Sequence, residues 1–307
     1  MKSCLIIDKK PDRYPGVSQS MLIAALSYSI MGLSVHALGE DSWSMALLAR
    51  ALFGLPFAFY GVKGLDLTKE HAFERGLLIR SALAVSFLAF LYYSLQMIRP
   101  GDAFALVSMR PLWVAAVYLL LKRSKVKLLF WPLSMIGVLG VALMEGSRLS
   151  GSPQFVVIAI ALGLLGAGST IAVDFCKGHS DRLMTLHYTV LMLIVAIVFV
   201  LLKGNEWELS DWLNLRTLVI FAVMGAAGNL YTLFSIKAVK SVGAEVGSSI
   251  VLLATVLSYA AGHLIWKVSF SWIGLFGILL TLLPCIFMVS FGSLSGKPSS
   301  SSDCFSA

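Results

Sequence analysis

The stretch that decides the fold is SLQMIRPGDA, from Ser94 to Ala103, because a related stretch, SIKAVKSVGA, follows from Ser235 to Ala244. The same offset aligns Trp131 with Trp272. Similarity at a fixed offset indicates that a chain is built from repeated structural units. We therefore expect two copies of one unit, each forming about half of the protein.

The composition indicates that these units lie in a lipid bilayer. Hydrophobic residues make up 58% of the 307 residues and charged residues only 13%, and the mean hydropathy is +0.86. Typical soluble domains contain about 25% charged residues, which they need to cover their surfaces. The sequence therefore predicts a polytopic membrane protein whose surroundings are lipid.

The apolar residues fall into ten segments of the length that a membrane-spanning helix needs, roughly 20 residues. These segments are 17–38, 43–62, 77–98, 101–121, 128–145, 154–176, 183–202, 216–239, 243–265 and 269–292. Five spans per copy is an odd number, so the second copy must enter the membrane from the opposite side. We predict an all-α fold of ten transmembrane helices in two inverted five-helix repeats, 17–145 and 154–292.

The basic residues predict the orientation of these spans. Seventeen Lys and Arg, Arg80 among them, lie in the N-terminal segment 1–16, in the tail 293–307, or in joints and adjoining span ends on the same side, and five lie in joints and adjoining span ends on the other side. Arg50 and Arg110, inside spans, complete the total of 24. Because positive residues favour the cytoplasmic side, both termini should be cytoplasmic. The same distribution explains the net charge of +8 without nucleic-acid binding, which we do not expect. The serine-rich tail should be disordered.

The reactive side chains show no pattern of an enzyme. Cys4, Cys176, Cys285 and Cys304 stand far apart, which indicates neither a disulfide framework nor a metal site. Histidine, cysteine and acidic residues show no metal-ligand spacing, and the GAGST segment is not a nucleophile elbow. We predict no cofactor, no metal and no catalytic residue, and an intramembrane enzyme remains a weaker alternative.

The motifs at the joints and in the spans resemble those of one family. The joints read YYSLQMIRPGDAFAL and LFSIKAVKSVGAEVG, Arg50 lies in LLARALFGLP, Pro111 lies within the fourth span, and the repeats close with WPLSMIGVLGVALM and WIGLFGILLTLL. Between about Val17 and Gly292, the chain resembles the EamA-type members of the drug/metabolite transporter superfamily. The glutamates and the ninth-span proline usual in that family are replaced by KRSKVK, WKVSFS and SSIVLLATV, so no subfamily or coupling mechanism follows.

The resemblance implies a secondary transporter of the bacterial inner membrane that moves a small metabolite by alternating access. It also implies a central cavity lined by the first, third and fourth spans and by the sixth, eighth and ninth. A scaffold or partner subunit without transport activity is the alternative. The sequence leaves open import or export, coupling to protons and assembly into a homodimer.

Arg110 is the residue that bears most directly on the substrate. It lies deep in the fourth span, too far from either interface for its head to reach water easily, so it must face protein or a wet cavity. It either pairs with a buried acid and joins helices, or binds an anionic group of the substrate. We favour the second reading, which ranks amino acids, organic acids and nucleotide-like metabolites above cations. Pro111 beside it should kink the helix.

Other polar residues in the spans have less certain roles. We expect Arg50 to be structural and to point outward toward Glu40 and Asp41. Glu245, at the start of the ninth span, is a candidate charge partner of Arg110 or a candidate proton site. His36 and His263 are further candidates for proton coupling, since histidine titrates near neutral pH.

Aromatic residues complete the predicted site. Tyr28, Tyr92, Trp113 and Tyr231 lie where they could line a cavity, and Tyr92 and Tyr231 occupy matching spans of the two repeats. Trp and Tyr also anchor span ends at membrane interfaces, which is the simpler reading. Small residues in GAAGN, from Gly225 to Asn229, and in similar clusters indicate close helix packing.

Overall fold

A computed structural model describes residues 15–38, 43–64, 74–97, 100–121, 128–144, 153–203, 214–265 and 271–294. Within these ranges the chain is all-helical. The helices, numbered here in chain order, are α1 Pro15–Leu38, α2 Trp43–Gly61, α3 Arg75–Met97, α4 Pro100–Ser108, α5 Arg110–Leu120, α6 Phe130–Met144, α7 Pro153–Phe175, α8 Asp181–Lys203, α9 Leu215–Ser248, α10 Ile250–Ile265 and α11 Trp272–Leu294.

The length of the apolar helices confirms a membrane-protein architecture. Six stretches among the described residues are long and apolar enough to cross a bilayer: Trp43–Gly61, Arg75–Ser94, Asp102–Leu120, Gln154–Phe175, Asp181–Leu202 and Leu215–Ser248. Four shorter apolar stretches are Gln19–Val35, Phe130–Met144, Ile250–Ile265 and Trp272–Phe287. Six spans therefore follow from helix length and composition, and the number ten remains a prediction.

The predicted segment boundaries differ slightly from the helix ends. Helix α1 begins at Pro15, two residues inside the predicted N-terminal segment, and α11 ends at Leu294, two residues inside the predicted tail. Proline at the start of a helix is favourable, because its missing N–H would have no helical partner there. The rest of both terminal segments, 1–14 and 295–307, lies outside the described residues.

The fourth predicted span is interrupted in the middle. Helix α4 ends at Ser108 and α5 begins at Arg110, with Met109 between them at φ −73° and ψ −4°. Pro111 has no N–H to donate to the carbonyl of Val107, so the regular helical bonding cannot continue through this point. The backbone N–H of Met109 instead bonds to the carbonyl of Leu106 at 3.1 Å, in a tighter turn. The kink expected at Pro111 is therefore present as a break two residues earlier.

The eighth and ninth predicted spans are joined differently. Helix α9 runs through the expected joint, where Gly243 alone leaves helical geometry with φ +86° and ψ 162°. Glycine lacks the Cβ that makes a positive φ costly, and this turn therefore suits it. The helix then breaks at Ser249, whose N–H bonds to the carbonyl of Val246 at 3.1 Å. This second break has no proline next to it, whereas the first break is followed by Pro111.

The helix pairs that pack most extensively among the described residues are α1 against α9, α3 against α7, α2 against α8, α6 against α11, and α2 against α9. The largest buried cluster lies between the first three pairs and includes Leu47, Leu162, Met192 and Met224. Helices α6 and α11 approach at backbone distance, because a Cβ on Gly277 would lie 2.6 Å from the carbonyl oxygen of Gly140. The helices of the other pairs surround a cavity in the interior of the bundle.

Candidate functional site

A cavity lined by polar and apolar residues lies in the interior of the bundle, and the space within and in front of it measures about 680 Å³, open solvent included. Helices α1, α2, α3 and α5 contribute one side of it, and α7, α8, α9 and α10 contribute the other. Its polar lining residues are Tyr28, Arg50, Arg80, Arg110, Ser169, Thr170, Tyr188, Tyr231, Thr232, Ser235 and Ser248. The two halves of the chain therefore share one cavity, which three arginines line.

Arg110 faces this cavity from the first turn of α5 and is only 6% exposed. Its Nη1 donates to the hydroxyl of Tyr231 at 3.3 Å, and its guanidinium lies 4.3 Å from the centre of the Phe87 ring. A Cβ on Gly166 of α7 would lie 3.1 Å from its Nε. The side chain is therefore held by contacts with α3, α7 and α9, and its charge meets an aromatic face and a neutral hydroxyl.

Arg50 turns inward, not outward, and is 2% exposed. Its Nη2 lies 3.5 Å from the carbonyl oxygen of Gly228, to which it donates, and its guanidinium lies 5.8 Å from the centre of the Tyr188 ring. A Cβ on residue 228 would lie 2.5 Å from Nε of Arg50. Glycine at this position, which has no Cβ, therefore leaves room for the arginine. The expected partners Glu40 and Asp41 lie outside the described residues. The described contacts make Arg50 a cavity residue.

Arg80 is the functional candidate that the sequence did not reveal. It lies near the start of α3 and was counted among the cytoplasmic basic residues, yet it is 4% exposed. Its Nη1 donates to the carbonyl of Met184 at 3.1 Å, and its guanidinium lies 5.7 Å from the ring of Tyr188. Arg80 therefore contacts α8 and lies beside Tyr188, the same tyrosine that lies near Arg50. Its position five residues after Arg75, on an apolar face, was the available signal.

The three guanidiniums have no ion-pair partner among the described residues. The carboxylates described there pair elsewhere or lie away from the cavity, and the lining contains no Asp, Glu or His. Arg50 Nη1, Arg80 Nε, and Arg110 Nε and Nη2 are buried without a hydrogen-bond acceptor in the described part of the chain. Buried charges are normally paired, so this arrangement is suited to an anion that enters from outside.

Two of the predicted aromatic residues line the cavity. The rings of Tyr28 and Tyr231 lie 4.8 Å apart at 60°, so α1 and α9 meet through them beside Arg110. Tyr188, which the sequence did not single out, lines the cavity between Arg50 and Arg80. Tyr92 is buried in the core close enough to Arg50 to interact electrostatically, but it does not belong to the lining.

Trp113 occupies a helix interface and not the cavity. Its indole lies where a Cβ on Gly163 would be, so the ring packs directly onto the backbone of α7. It also borders the buried cluster of Val114, Tyr118 and Ala167. Pro111 is buried beside Arg110 and marks the beginning of α5. Trp113 therefore contributes to packing in this conformation, and Pro111 shapes the backbone that presents Arg110.

The predicted coupling residues lie away from the cavity lining. Glu245 is half-buried just after the Gly243 turn and is absent from the lining. His263 lies near the end of α10, where Nδ1 is 3.0 Å from the carbonyl oxygen of Tyr259. The side chain of His36, in α1, lies outside the described residues. Neither Glu245 nor His263 belongs to the cavity lining in which the three arginines lie.

Ionic groups collect at the end of the bundle where α3 begins and α7 ends. Lys240 Nζ lies 2.7 Å from an oxygen of Asp181 and donates to the carbonyl of His179 at 2.5 Å. His179 Nε2 lies 2.9 Å from Glu74. We call Glu74, His179, Asp181 and Lys240 the polar layer, and Cys176 is buried next to it. Burial raises the pKa of the Cys176 thiol.

A solved structure described only as "Crystal structure of protein" shares this fold. Its TM-score is 0.69 at 14% sequence identity, over 92% of this chain and 99% of that chain. The likeness shows that the arrangement of helices occurs in a solved protein. No protein-family model matches the chain, and no curated protein matches it.

Proposed function

We propose that this chain is a secondary transporter of the EamA type that moves a small anionic metabolite across a bacterial inner membrane by alternating access. The observation that supports it most strongly is the cavity shared by the two halves, into which three buried arginines project without carboxylate partners. A substrate site between the two halves of a repeated fold is the common plan of secondary transporters.

The helix pairs support two inverted repeats within this proposal. Helix α1 packs on α9, and α7 packs on α3, so the first span of each half meets the third span of the other. Helices α2 and α8, and likewise α6 and α11, pair equivalent spans. A two-fold axis that exchanges the halves generates this set of contacts. The helix breaks at Met109 and Ser249 also lie within one residue of equivalent positions of the two halves.

The ten-span count follows if α4 and α5 form one broken span. Helix α9 then provides the eighth span and the start of the ninth, and α10 completes the ninth. The shorter apolar helices α1, α6 and α11 supply the first, fifth and tenth spans. The polar layer lies at the end that the basic residues assign to the cytoplasm, which agrees with cytoplasmic termini.

Buried arginines favour transport over the two alternatives. A charged side chain inside a bilayer costs about 2.5–3.5 kcal/mol or more, and a scaffold gains nothing from three of them around a cavity. An enzyme needs a nucleophile, a base or a metal. Among the described residues no group of His, Cys, Asp or Glu could hold a metal, and none of these residue types lines the cavity. An anionic substrate would use the positive charge.

Flux into liposomes tests this function. Candidate substrates are first selected by thermal shift on the purified protein, since a ligand that binds the folded state raises its apparent stability. Uptake of the selected anions is then measured for the wild type, Arg110→Ala and Arg110→Lys. We expect uptake by the wild type and its loss in Arg110→Ala, with partial activity when lysine keeps the charge. Unchanged uptake of every anion by both variants would remove Arg110 from the site.

Coupling is tested in the same liposomes. A proton is a candidate coupling ion, and Glu245 and His263 are the candidate residues within the described chain. If protons are coupled, an imposed pH gradient changes the rate, and Glu245→Gln or His263→Gln removes that change. A rate that ignores the gradient would favour exchange or facilitated passage.

A further inference from the structure

We propose that the ligand of the central cavity carries at least two negative charges, as a dicarboxylate or a phosphate monoester does. Arg50, Arg80 and Arg110 form one polycationic site, in which a single carboxylate would leave most of the charge unpaired. The inference rests on the proposed function and specifies its substrate class.

The first argument is the balance of charge around the cavity. Arginine stays protonated in proteins, so each of the three contributes a full positive charge. Their partners are neutral: the carbonyl of Gly228, the carbonyl of Met184 and the hydroxyl of Tyr231. Neutral acceptors and aromatic faces stabilise a cation but do not neutralise it. A monoanion would leave two uncompensated charges among the described residues, whereas a dianion would leave one.

The second argument is the number of donors that remain. Arg50 Nη1, Arg80 Nε, Arg110 Nε and Arg110 Nη2 are four buried nitrogens without an acceptor among the described residues. A monocarboxylate offers two oxygens, a phosphate monoester three terminal oxygens, and a dicarboxylate four. Charge-assisted hydrogen bonds to such oxygens are the strong ones. The multiply charged groups provide a separate oxygen for each of the three arginines, whereas a monocarboxylate would have to accept several of these bonds at each of its two oxygens.

The third argument is that one ligand can reach these groups together. Arg50 and Arg80 lie 5.8 Å and 5.7 Å from the centre of the same ring, that of Tyr188. Arg110 bonds to Tyr231 on α9, one helical turn from the Gly228 carbonyl that receives Arg50. All three guanidiniums border a single cavity. The positive groups therefore share one site and do not belong to separate cavities.

The serine and threonine hydroxyls of the lining contribute little to the binding of an anion. Each of them donates its proton to a carbonyl of its own helix, as Ser169 and Thr170 both do to Gly166. Thr232, Ser235 and Ser248 do the same on α9. These hydroxyls can still accept hydrogen bonds, but their protons are already used.

The tyrosine hydroxyls of the lining differ from these. The hydroxyl of Tyr231 accepts from Arg110, and that of Tyr28 is buried without a partner among the described residues. The guanidiniums are therefore the charged donors for the oxygens of an anion, and the Tyr28 hydroxyl is a neutral donor beside them.

Two pairs of probes that differ in charge but hardly in shape test the proposal. Methyl phosphate is compared with methyl sulfate, and succinate with succinamate, at one fixed ionic strength and at about pH 8, where a phosphate monoester is a dianion. Affinities are measured by calorimetry on the purified full-length protein in lipid nanodiscs. We expect the dianion of at least one pair to bind at least about tenfold more tightly than its monoanion. The pair that discriminates identifies a phosphate or a dicarboxylate ligand.

Variants of Arg50 and Arg80, which the flux experiment on Arg110 does not test, show whether the binding depends on the polycationic site. Arg50→Gln and Arg80→Gln should each weaken dianion binding at least about tenfold and reduce the preference over the monoanion. Arg75→Gln is the matched control, because it removes the same charge from an exposed position of α3. If a glutamine variant does not fold, the corresponding lysine variant is used, in which the charge remains but the fork of donors is lost.

Equal affinities within both pairs, including no binding by any probe, would overturn the proposal. Unchanged dianion affinity in both Arg50→Gln and Arg80→Gln would overturn it as well. Failure of the transport function gives a different result, namely tight dianion binding without flux in liposomes. Flux of a monoanion that survives in both glutamine variants would instead contradict the ligand class and leave transport intact.

Discussion

The guanidinium of Arg110 donates to the hydroxyl of Tyr231 at 3.3 Å, and this bond joins the two halves of the chain. The ring of Tyr231 in turn lies 4.8 Å from that of Tyr28. The cation at the break between α4 and α5 is therefore positioned by a residue of α9. Any motion of one half against the other must change this contact, so it links the geometry of the site to the conformation of the bundle.

Removing only the hydroxyl of Tyr231 tests that link. Tyr231→Phe keeps the ring beside Tyr28 but removes the acceptor, and a hydrogen bond to a charged group contributes about 1.5–3 kcal/mol. We expect the initial rate of anion uptake into liposomes to fall about 10-fold or more, because the guanidinium is no longer held in place. Tyr60→Phe, at a position 78% exposed, is the control and should behave as the wild type. Equal rates in both variants would show that the bond has no role.

Filling the space beside Arg50 should destabilise the protein. In Gly228→Ala the new Cβ would come within 2.5 Å of Arg50 Nε, so the arginine or α9 must shift. Overpacking of this kind costs about 1–3 kcal/mol, which a lower midpoint of thermal unfolding would report. Gly61→Ala is the control, because nothing lies within 4 Å of its Cβ.

The same substitution can be placed in an Arg50→Gln background. If the clash with the arginine is the cause, Gly228→Ala should cost less there than in the wild type, as expected for coupled neighbours. Equal costs in the two backgrounds would mean that Gly228 serves the packing of α2 on α9 and not Arg50.

The positions of the helices and the helix break next to Pro111 were predictable from local chemistry. Apolar segments of sufficient length, and a proline that cannot donate to the carbonyl of Val107, act within one stretch of chain. Arg110 was predictable for the same reason, because a charged side chain deep in a span must face the interior of the protein. The break at Ser249 was not predicted, because no proline lies near it in the sequence.

The directions of side chains were not predictable in this way. Arg50 turns inward because Gly228 on a distant helix makes room for it, whereas the GAAGN sequence predicts close helix packing without showing which side chain it accommodates. The position of Arg80 near the start of α3 predicts a side chain at the cytoplasmic end. In the structure this side chain is buried and donates to the carbonyl of Met184 on α8. Trp113 packs on Gly163. Each of these outcomes depends on a contact between segments that no single stretch of sequence contains.

Restoring the helix at the first break should affect function more than stability. Pro111→Ala returns an N–H that can donate to Val107 and allows α4 and α5 to become continuous. We expect an unfolding midpoint equal to or above that of the wild type, together with slower uptake, since Arg110 would be presented from a different turn. Pro56→Ala is the control, because this proline also lies inside a helix but on an exposed face. Wild-type uptake by Pro111→Ala would show that the break is not needed.

The polar layer should control access to Cys176. This thiol is 1% exposed, and burial raises its pKa, so at a given pH a smaller fraction is the reactive thiolate than in a free cysteine. With Cys4, Cys285 and Cys304 replaced by serine, we expect slow labelling by a maleimide at about pH 7.5. The rate should still rise with pH above about 9.5, where an ordinary thiol with a pKa of about 8.5 is already almost fully ionised.

Breaking the layer should then expose the thiol. Lys240→Gln removes the ion pair with Asp181 and weakens the bond to the carbonyl of His179. We expect labelling of Cys176 to accelerate several-fold, because the chain segment before α8 is released from α9 and opens more often. Lys63→Gln, which removes an exposed charge after α2, should leave the rate unchanged. Equal labelling rates in the two variants would mean that the polar layer does not close this end of the bundle.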